Sequence, residues 1–308
     1  MSRAVVAIGG NAIAESGADS WDEQVATVRE TVAELAPLVR DRYDEVVLTH
    51  GNGPQVGNRL LEREAADETP DLPLDALVAE TQAQLGYALQ RALDGLLDRS
   101  VASLVTQVVV DREALDAADP TKPVGPWYTA EEADAKPFET RQVGRGERPY
   151  RRVVRSPRPE RILEAPEIRA VLDAGHPLVC GGGGGVPVVE CGDGGFEGVP
   201  AVVDKDHTTR LIGEAVGATD LVFLTDVDHV YVGYGTDSER ALGDVPAAEL
   251  RTHLDAGEFP EGSMGPKVRA CLAFLDGGGE RAVVTRPEDV TAAVAGEAGT
   301  RVHPDRSP

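Results

Sequence analysis

The sequence predicts a layered α/β protein with a largely parallel sheet. Three observations carry that reading. The first 110 residues follow a β-α-β-α-β rhythm, glycine turns stand directly after short apolar runs, and 308 residues with 41% hydrophobic content suffice for a full core. A stretch at 116–160, rich in Pro, Gly and charge, interrupts the rhythm. A structureless loop of that length is rare in a compact domain, so it reads as a small inserted subdomain or lid.

Taken in order, "RAVVAI" (3–8) is a strand closed by glycines. Ser20 and Glu23 form a capping box, and Val25, Val28, Val32, Leu35 and Val39 then recur at helical spacing. "EVVLTH" (45–50) is a second strand, and Pro54 suits the first turn of the helix after it. A long helix is expected over 75–98 and a single strand over 101–110. After the insert come a helix at 166–174, a strand "PLVC" (177–180), five glycines, and the β runs "VPVVEC" and "FEGVPAVVD". The pattern then gives helix 206–217, strand 220–225, helices 246–256 and 264–276, strand 281–285 and helix 287–295.

The charge balance excludes some partners. Thirty basic against 53 acidic residues leave a net −23, so a basic nucleic-acid footprint is absent. No apolar run reaches membrane-spanning length. The apolar N-terminal run is broken by Gly9, Gly10 and Asn11, which marks a buried strand and not a signal peptide. Cys180, Cys191 and Cys271 are widely spaced and odd in number, against a disulfide framework or a zinc site and in keeping with a reducing cytoplasm. Acidic excess with scarce lysine and few aromatics reads as adaptation to high salt, where screening weakens self-repulsion.

Scarcity makes the lysines informative, for only Lys122, Lys136, Lys205 and Lys267 stand against 26 arginines. Lys205 lies in "DKD" at a strand-to-helix edge, where Asp204 and Asp206 are placed to hold it. Lys267 opens an amphipathic helix after "EGSMGP", in a first turn where the helix dipole disfavours a cation unless an anion binds there. Lys122 is stiffly aimed between prolines, and Lys136 reads as plain surface. Three glycine turns, at 9–10, 51–57 and 181–185, each follow a strand and are expected to converge at the carboxyl edge of the sheet, where open α/β sheets bind ligands. The plainer alternative for the five glycines is a flexible link. Ammonium groups beside backbone N–H cradles suit phosphoryl transfer, which depends on positioning and charge stabilisation. A dinucleotide-binding dehydrogenase is the rival, but the near fingerprint at 51–57 follows the second strand and lacks an acidic partner about 20 residues on.

Seven strings then resemble the carbamate kinases of the amino-acid kinase family, in order and over nearly the whole chain. They are "GGNA" (9–12), "HGNGPQVG" (50–57), "TKPVGPWYT" (121–129), "GGGGVPV" (182–188), "DKD" (204–206), "LTDVDHVY" (224–231) and "GSMGPK" (262–267). The resemblance implies a three-layer αβα sandwich around a mainly parallel sheet. Residues 1–185 would bind the acceptor, residues 186–308 the nucleotide, with one continuous sheet, a protruding lid at about 116–160, and a homodimer. The reaction implied is reversible transfer between ATP and carbamate, giving ADP and carbamoyl phosphate, used to make ATP in arginine fermentation. Mg²⁺ would accompany ATP or ADP, with no resident metal site. Gly9, Gly10, Asn11, Gly51, Asn52, Gly53 and Gly183 would cradle the phosphoryl group and carbamate. Lys205 and Lys267 would neutralise transferred charge, Asp206 would orient them, and Lys122 would reach in from the lid. Thr225, Asp226, Tyr231 and Met264 would line the nucleotide pocket.

Many amino-acid kinases carry a lysine in the first strand; "AVVAIGG" has none, and Lys122 would take its place. Carbamate is already an anion and needs no base, so His50 reads as a packing residue and His207 as a helix-start residue. Another carboxylate acceptor, or a nucleotide-sensing module without turnover, stays open at this level.

Overall fold

"RAVVAI" is small and mostly β-branched, with no partner-seeking polar group beyond its first residue. In the computed structural model, which describes residues 2–13, 20–65, 72–260 and 262–305, it forms the strand Arg3–Ile8 at the middle of the main sheet, with Ala4–Ile8 buried. Parallel neighbours flank it, Glu45–His50 on one side and Asp220–Leu224 on the other. Eight strands run in the order Asp244–Pro246, Thr300–His303, Arg281–Thr285, Asp220–Leu224, Arg3–Ile8, Glu45–His50, Leu178–Val179, Ala102–Ser103. Only the pair Asp244–Pro246 and Thr300–His303 runs against the rest, since Thr300–His303 meets Arg281–Thr285 antiparallel.

Strand alternation sends successive residues to opposite faces, and both faces are apolar. Val5 and Ala7 join a core with the helices Ala165–Asp173, Lys205–Val216, Ala247–Asp255 and Met264–Asp276. Ala4, Val6 and Ile8 join a second core with the helices Trp21–Pro37, Leu74–Asp94 and Val290–Ala295. The result is the expected three-layer sandwich. The capping box at Ser20 is present in both directions, and Gln24, not Val25, lies on the buried stripe.

Three segments depart from the sequence reading. Residues 101–110 form two strands, not one: Ala102–Ser103 edges the main sheet, while Gln107–Val110 enters a second, four-stranded sheet. Thr106 makes the crossing. Gln82 holds both its backbone N–H and its C=O, and its hydroxyl accepts from Gly181 N–H at 2.9 Å. Pro159–Ile162, read as the end of the insert, pairs antiparallel with Gln107–Val110 in that second sheet. The short strands Val230–Val232, Arg240–Leu242, Asp244–Pro246 and Thr300–His303 carry no length of alternation and are absent from the sequence reading.

The insert folds as a three-stranded sheet of Lys122–Tyr128, Tyr150–Val154 and Thr140–Gln142. It rests on the helix Gly53–Ala65. Glu64 fastens it, accepting hydrogen bonds from Tyr128 Oη and from Lys136 Nζ, the latter at 2.5 Å. The Lys136 ammonium also lies 4.5 Å from the centre of the Tyr128 ring. Lys136 is therefore not plain surface; it ties the insert to the body. Lys136→Ala is expected to raise proteolytic cutting within 116–160 severalfold while shifting the melting temperature by less than about 3 °C. Limited proteolysis beside a thermal melt would check both.

Candidate active site

Four strands of the main sheet end at one edge, and each delivers a loop to it. Arg3–Ile8 gives Gly9 and Gly10, Glu45–His50 gives Gly51–Gly53, Leu178–Val179 gives the five glycines, and Asp220–Leu224 gives Thr225 and Asp226. Convergence of the first two is close: a methyl group at Gly51 would lie 3.4 Å from the Gly10 backbone and 3.7 Å from Lys205 Cδ. Gly10, Gly51, Asn52, Gly53 and Gly183 line one cleft together with Lys122, Lys205, Asp206 and Lys267. Gly9 faces an adjoining hollow shared with Gly10, Lys205, Lys267, Thr225 and Asp226. Asn11 contributes backbone to the single turn Gly10–Ala12, and its side chain lies outside the described residues.

The five glycines are a packed wall and not a link. Gly181–Gly185 are all buried. Gly183 has φ +63°, and a methyl group there would sit 2.1 Å from Asn52 Oδ1. Asn52 is itself fixed, its amide donating to Thr81 Oγ1 at 2.9 Å.

Asp206 organises the charges. It lies in the first turn of helix Lys205–Val216 and is 3% exposed. Its Oδ1 accepts from Lys205 Nζ at 2.5 Å and its Oδ2 from Lys267 Nζ at 3.3 Å. Lys267 stands in the first turn of helix Met264–Asp276, so two ammonium groups meet at two positive helix ends. One pairing differs from expectation. Asp204 caps its helix by accepting from Asp206 N–H, and its other oxygen takes Lys122 Nζ at 2.9 Å, not Lys205. Burial alone would raise the Asp204 pKa, but Lys122, the Asp206 N–H and Lys205 outweigh it and hold the group at about 2. The cleft thus carries three ammonium groups against two carboxylates, before any anion enters.

His50 is buried and its Nδ1–H donates to Gly51 O at 3.1 Å. Burial pushes its pKa down to about 4, with Lys205 adding to the fall. A neutral ring in the folded protein against a normal His in the unfolded chain gives a definite sign. The stabilising contribution is full above about pH 6.5 and is lost as pH falls through about 4. His50→Asn, which keeps a donor toward Gly51, is expected to flatten that stretch by roughly 2–3 kcal/mol. Urea midpoints measured from pH 7 to pH 4.5 on both proteins would read it. His207 opens the helix of Lys205 and its pKa is lowered by burial; neither ring lines the cleft.

A second cavity is lined by Thr225, Asp226, Tyr231 and Met264. It holds the aromatic series His229, Tyr231 and Tyr234, with ring centres 6.2 Å and 6.0 Å apart in turn. Such a wall can stack a planar base. Met264 also packs against the core beneath, so it serves both readings. Sequence reasoning missed His229 and Tyr234, although "DHVYVGY" carries its rings on one side of a short strand and turn. It also missed Arg151, which lines the first cleft from the insert. The hollow behind Gly9 joins the two cavities, sharing Thr225, Asp226 and Ser263 with one and Lys205, Lys267 and Ser263 with the other.

Comparison with known proteins agrees with this fold. Residues 2–286 match the model of the amino acid kinase family. The carbamate kinase of Halobacterium salinarum is 46% identical over 99% of both chains. That of Thermococcus kodakarensis is 41% identical over 98% of this chain and 99% of its own. The solved carbamate kinase of Giardia lamblia bound to AMP-PNP superposes with a TM-score of 0.89 at 34% identity, covering 99% of each chain. On fold, site geometry and full-length similarity together, the chain belongs to the amino acid kinase family and, within it, to the carbamate kinases.

Proposed function

We propose that the protein transfers a phosphoryl group reversibly between ATP and carbamate, and that it runs chiefly from carbamoyl phosphate and ADP toward ATP, as in arginine fermentation. The observation that carries this is Asp206 holding Lys205 and Lys267 together between the cleft and the aromatic cavity. In the forward sense a carbamate oxygen attacks the γ-phosphorus, the bond to the β–γ bridging oxygen breaks, and ADP leaves. The developing charge lies on the transferred group and on the β-phosphate. Two ammonium groups fixed by one carboxylate are placed to meet it. Asn52 and the backbone of Gly10, Gly51, Gly53 and Gly183 cradle the acceptor side, with Lys122 reaching from the insert. The attacking oxygen is already anionic, so no base is called for, and a neutral buried His50 is compatible with that.

Among the described residues no group of three or more His, Cys, Asp or Glu is arranged to hold a metal ion. Mg²⁺ would enter on the nucleotide's phosphates, its usual mode with such substrates. We also infer a cytoplasmic homodimer adapted to high salt; the acidic composition supports the salt adaptation, and light scattering at twice the chain's 32.5 kDa tests the dimer. Among the described residues no helix is long and apolar enough to cross a membrane.

The deciding experiment follows ATP formation from ADP, Mg²⁺ and carbamoyl phosphate in low and in molar KCl, with Lys205→Ala as the control for spontaneous decay. ATP from the wild type alone is the expected result. No ATP at any salt from folded protein would overturn the reading.

A further inference from the structure

Arg151 is the cleft's unassigned cation. It sits on the strand Tyr150–Val154, opposite Trp127, where the pairing with Lys122–Tyr128 slips between Val124 and Trp127. That slip turns the Gly125 carbonyl toward it, and Arg151 Nε and Nη2 both donate to this one oxygen at 3.0 and 2.7 Å. Its guanidinium lies 5.1 Å from the centre of the Trp127 ring. The backbone carbonyl and the ring therefore fix the plane of the group while using one edge of the fork.

The charge around it is unusual for this chain. Acidic residues outnumber basic ones 53 to 30, yet among the described residues no carboxylate lies within ion-pair distance of Arg151. The cleft's three lysines all have carboxylate partners. Burial lowers the Arg151 pKa, while the other arginines with a resolved shift are raised by neighbouring acids. A half-buried, oriented and unpaired guanidinium in such a protein is held ready for an anion from outside.

Its place says which part of the anion. Arg151 lines the cleft with Lys122 and Asn52 but does not line the hollow that leads to the aromatic cavity. It stands on the acceptor side and not on the path to the nucleotide. Counting Arg151, the cleft holds four cations and two carboxylates, an excess of two that matches a doubly charged acyl phosphate. A planar fork with a free edge matches the two coplanar oxygens that carbamate presents. We propose that Arg151 recognises the carbamoyl end of the acceptor and so helps set which small carboxylate-like anion is used. This rests on the reading of the protein as a carbamate kinase and adds a specificity residue to it.

The test is steady-state ATP formation by wild type, Arg151→Lys and Arg151→Ala, varying carbamoyl phosphate and ADP separately. Lysine keeps a charge and a donor for Gly125 but loses the planar edge. Both variants are expected to raise KM for carbamoyl phosphate about 10- to 100-fold, with KM for ADP changed less than about twofold and melting temperatures near wild type. Added guanidinium ion is expected to restore part of the Arg151→Ala loss. If Arg151→Lys keeps the wild-type KM for carbamoyl phosphate, or if both KM values rise together, Arg151 only braces the insert and the inference is overturned. A wild type that makes no ATP overturns the reading beneath it as well, and is distinguishable because no variant comparison is then involved.

Discussion

Lys205→Arg is expected to fold like the wild type and to lose about 10²- to 10³-fold in turnover. The charge is kept, so the cause is geometric. Asp206 gives one oxygen to Lys205 and the other to Lys267. A guanidinium at 205 presents two parallel donors and tends to take both oxygens at once. It would displace the Lys267 ammonium and place a flat group where a compact one now points into the cleft. Lys205 is mostly buried, so the longer side chain has little room to turn aside. Turnover from carbamoyl phosphate and ADP, read beside a thermal melt, checks both halves. Near wild-type turnover would sink the role given to Lys205.

Gly184→Ala is the second large effect. Its φ is +91°, and a methyl group would lie 2.2 Å from the Val203 carbonyl oxygen and 2.8 Å from its carbon. Those are backbone atoms, so no rotamer change relieves the contact. The substitution is expected to cost about 3–5 kcal/mol, measured by urea denaturation. Gly192→Ala, in open space with ordinary φ, serves as the control and should stay within about 0.5 kcal/mol. Val203 immediately precedes Asp204 and Lys205. The backbone shift that accommodates the methyl group therefore moves both charges, and the folded fraction should also lose activity. A stable, fully active Gly184→Ala would mean that the glycine wall does not position the "DKD" segment.

Legibility in the sequence followed how much each feature owed to near neighbours. The helix Met264–Asp276 and the capping box at Ser20 were readable because periodicity and capping act within a few residues. The lysines stood out because arginine replaces them almost everywhere else. Arg151 had no such contrast: it lies in "RPYRRVVRSPRPER", where nothing local separates it from its neighbours. The break at Leu104–Thr106 is hidden because residues 101–110 read as one β-prone run, and only Gln82 and Gly181, distant in sequence, create the crossing. The Lys122–Asp204 pair spans 82 residues, so composition pointed instead to the adjacent lysine. Lys136 looked superficial because its partner, Glu64, lies 72 residues earlier.

The helix Gly53–Ala65 has a different thing at each end. Its first turn belongs to the cleft through Gly53 and Pro54, and Glu64, about 16 Å further along its axis, takes the two hydrogen bonds that fasten the insert. An α-helix resists stretching and bending over that distance, so it acts as a stiff rod with a handle at each end. Pulling on the insert displaces the floor on which the acceptor rests, and loading that floor pushes back on the insert. A change made at Glu64 therefore has a stiff route to the chemistry along this helix, beside the direct one from the insert through Lys122 and Asp204.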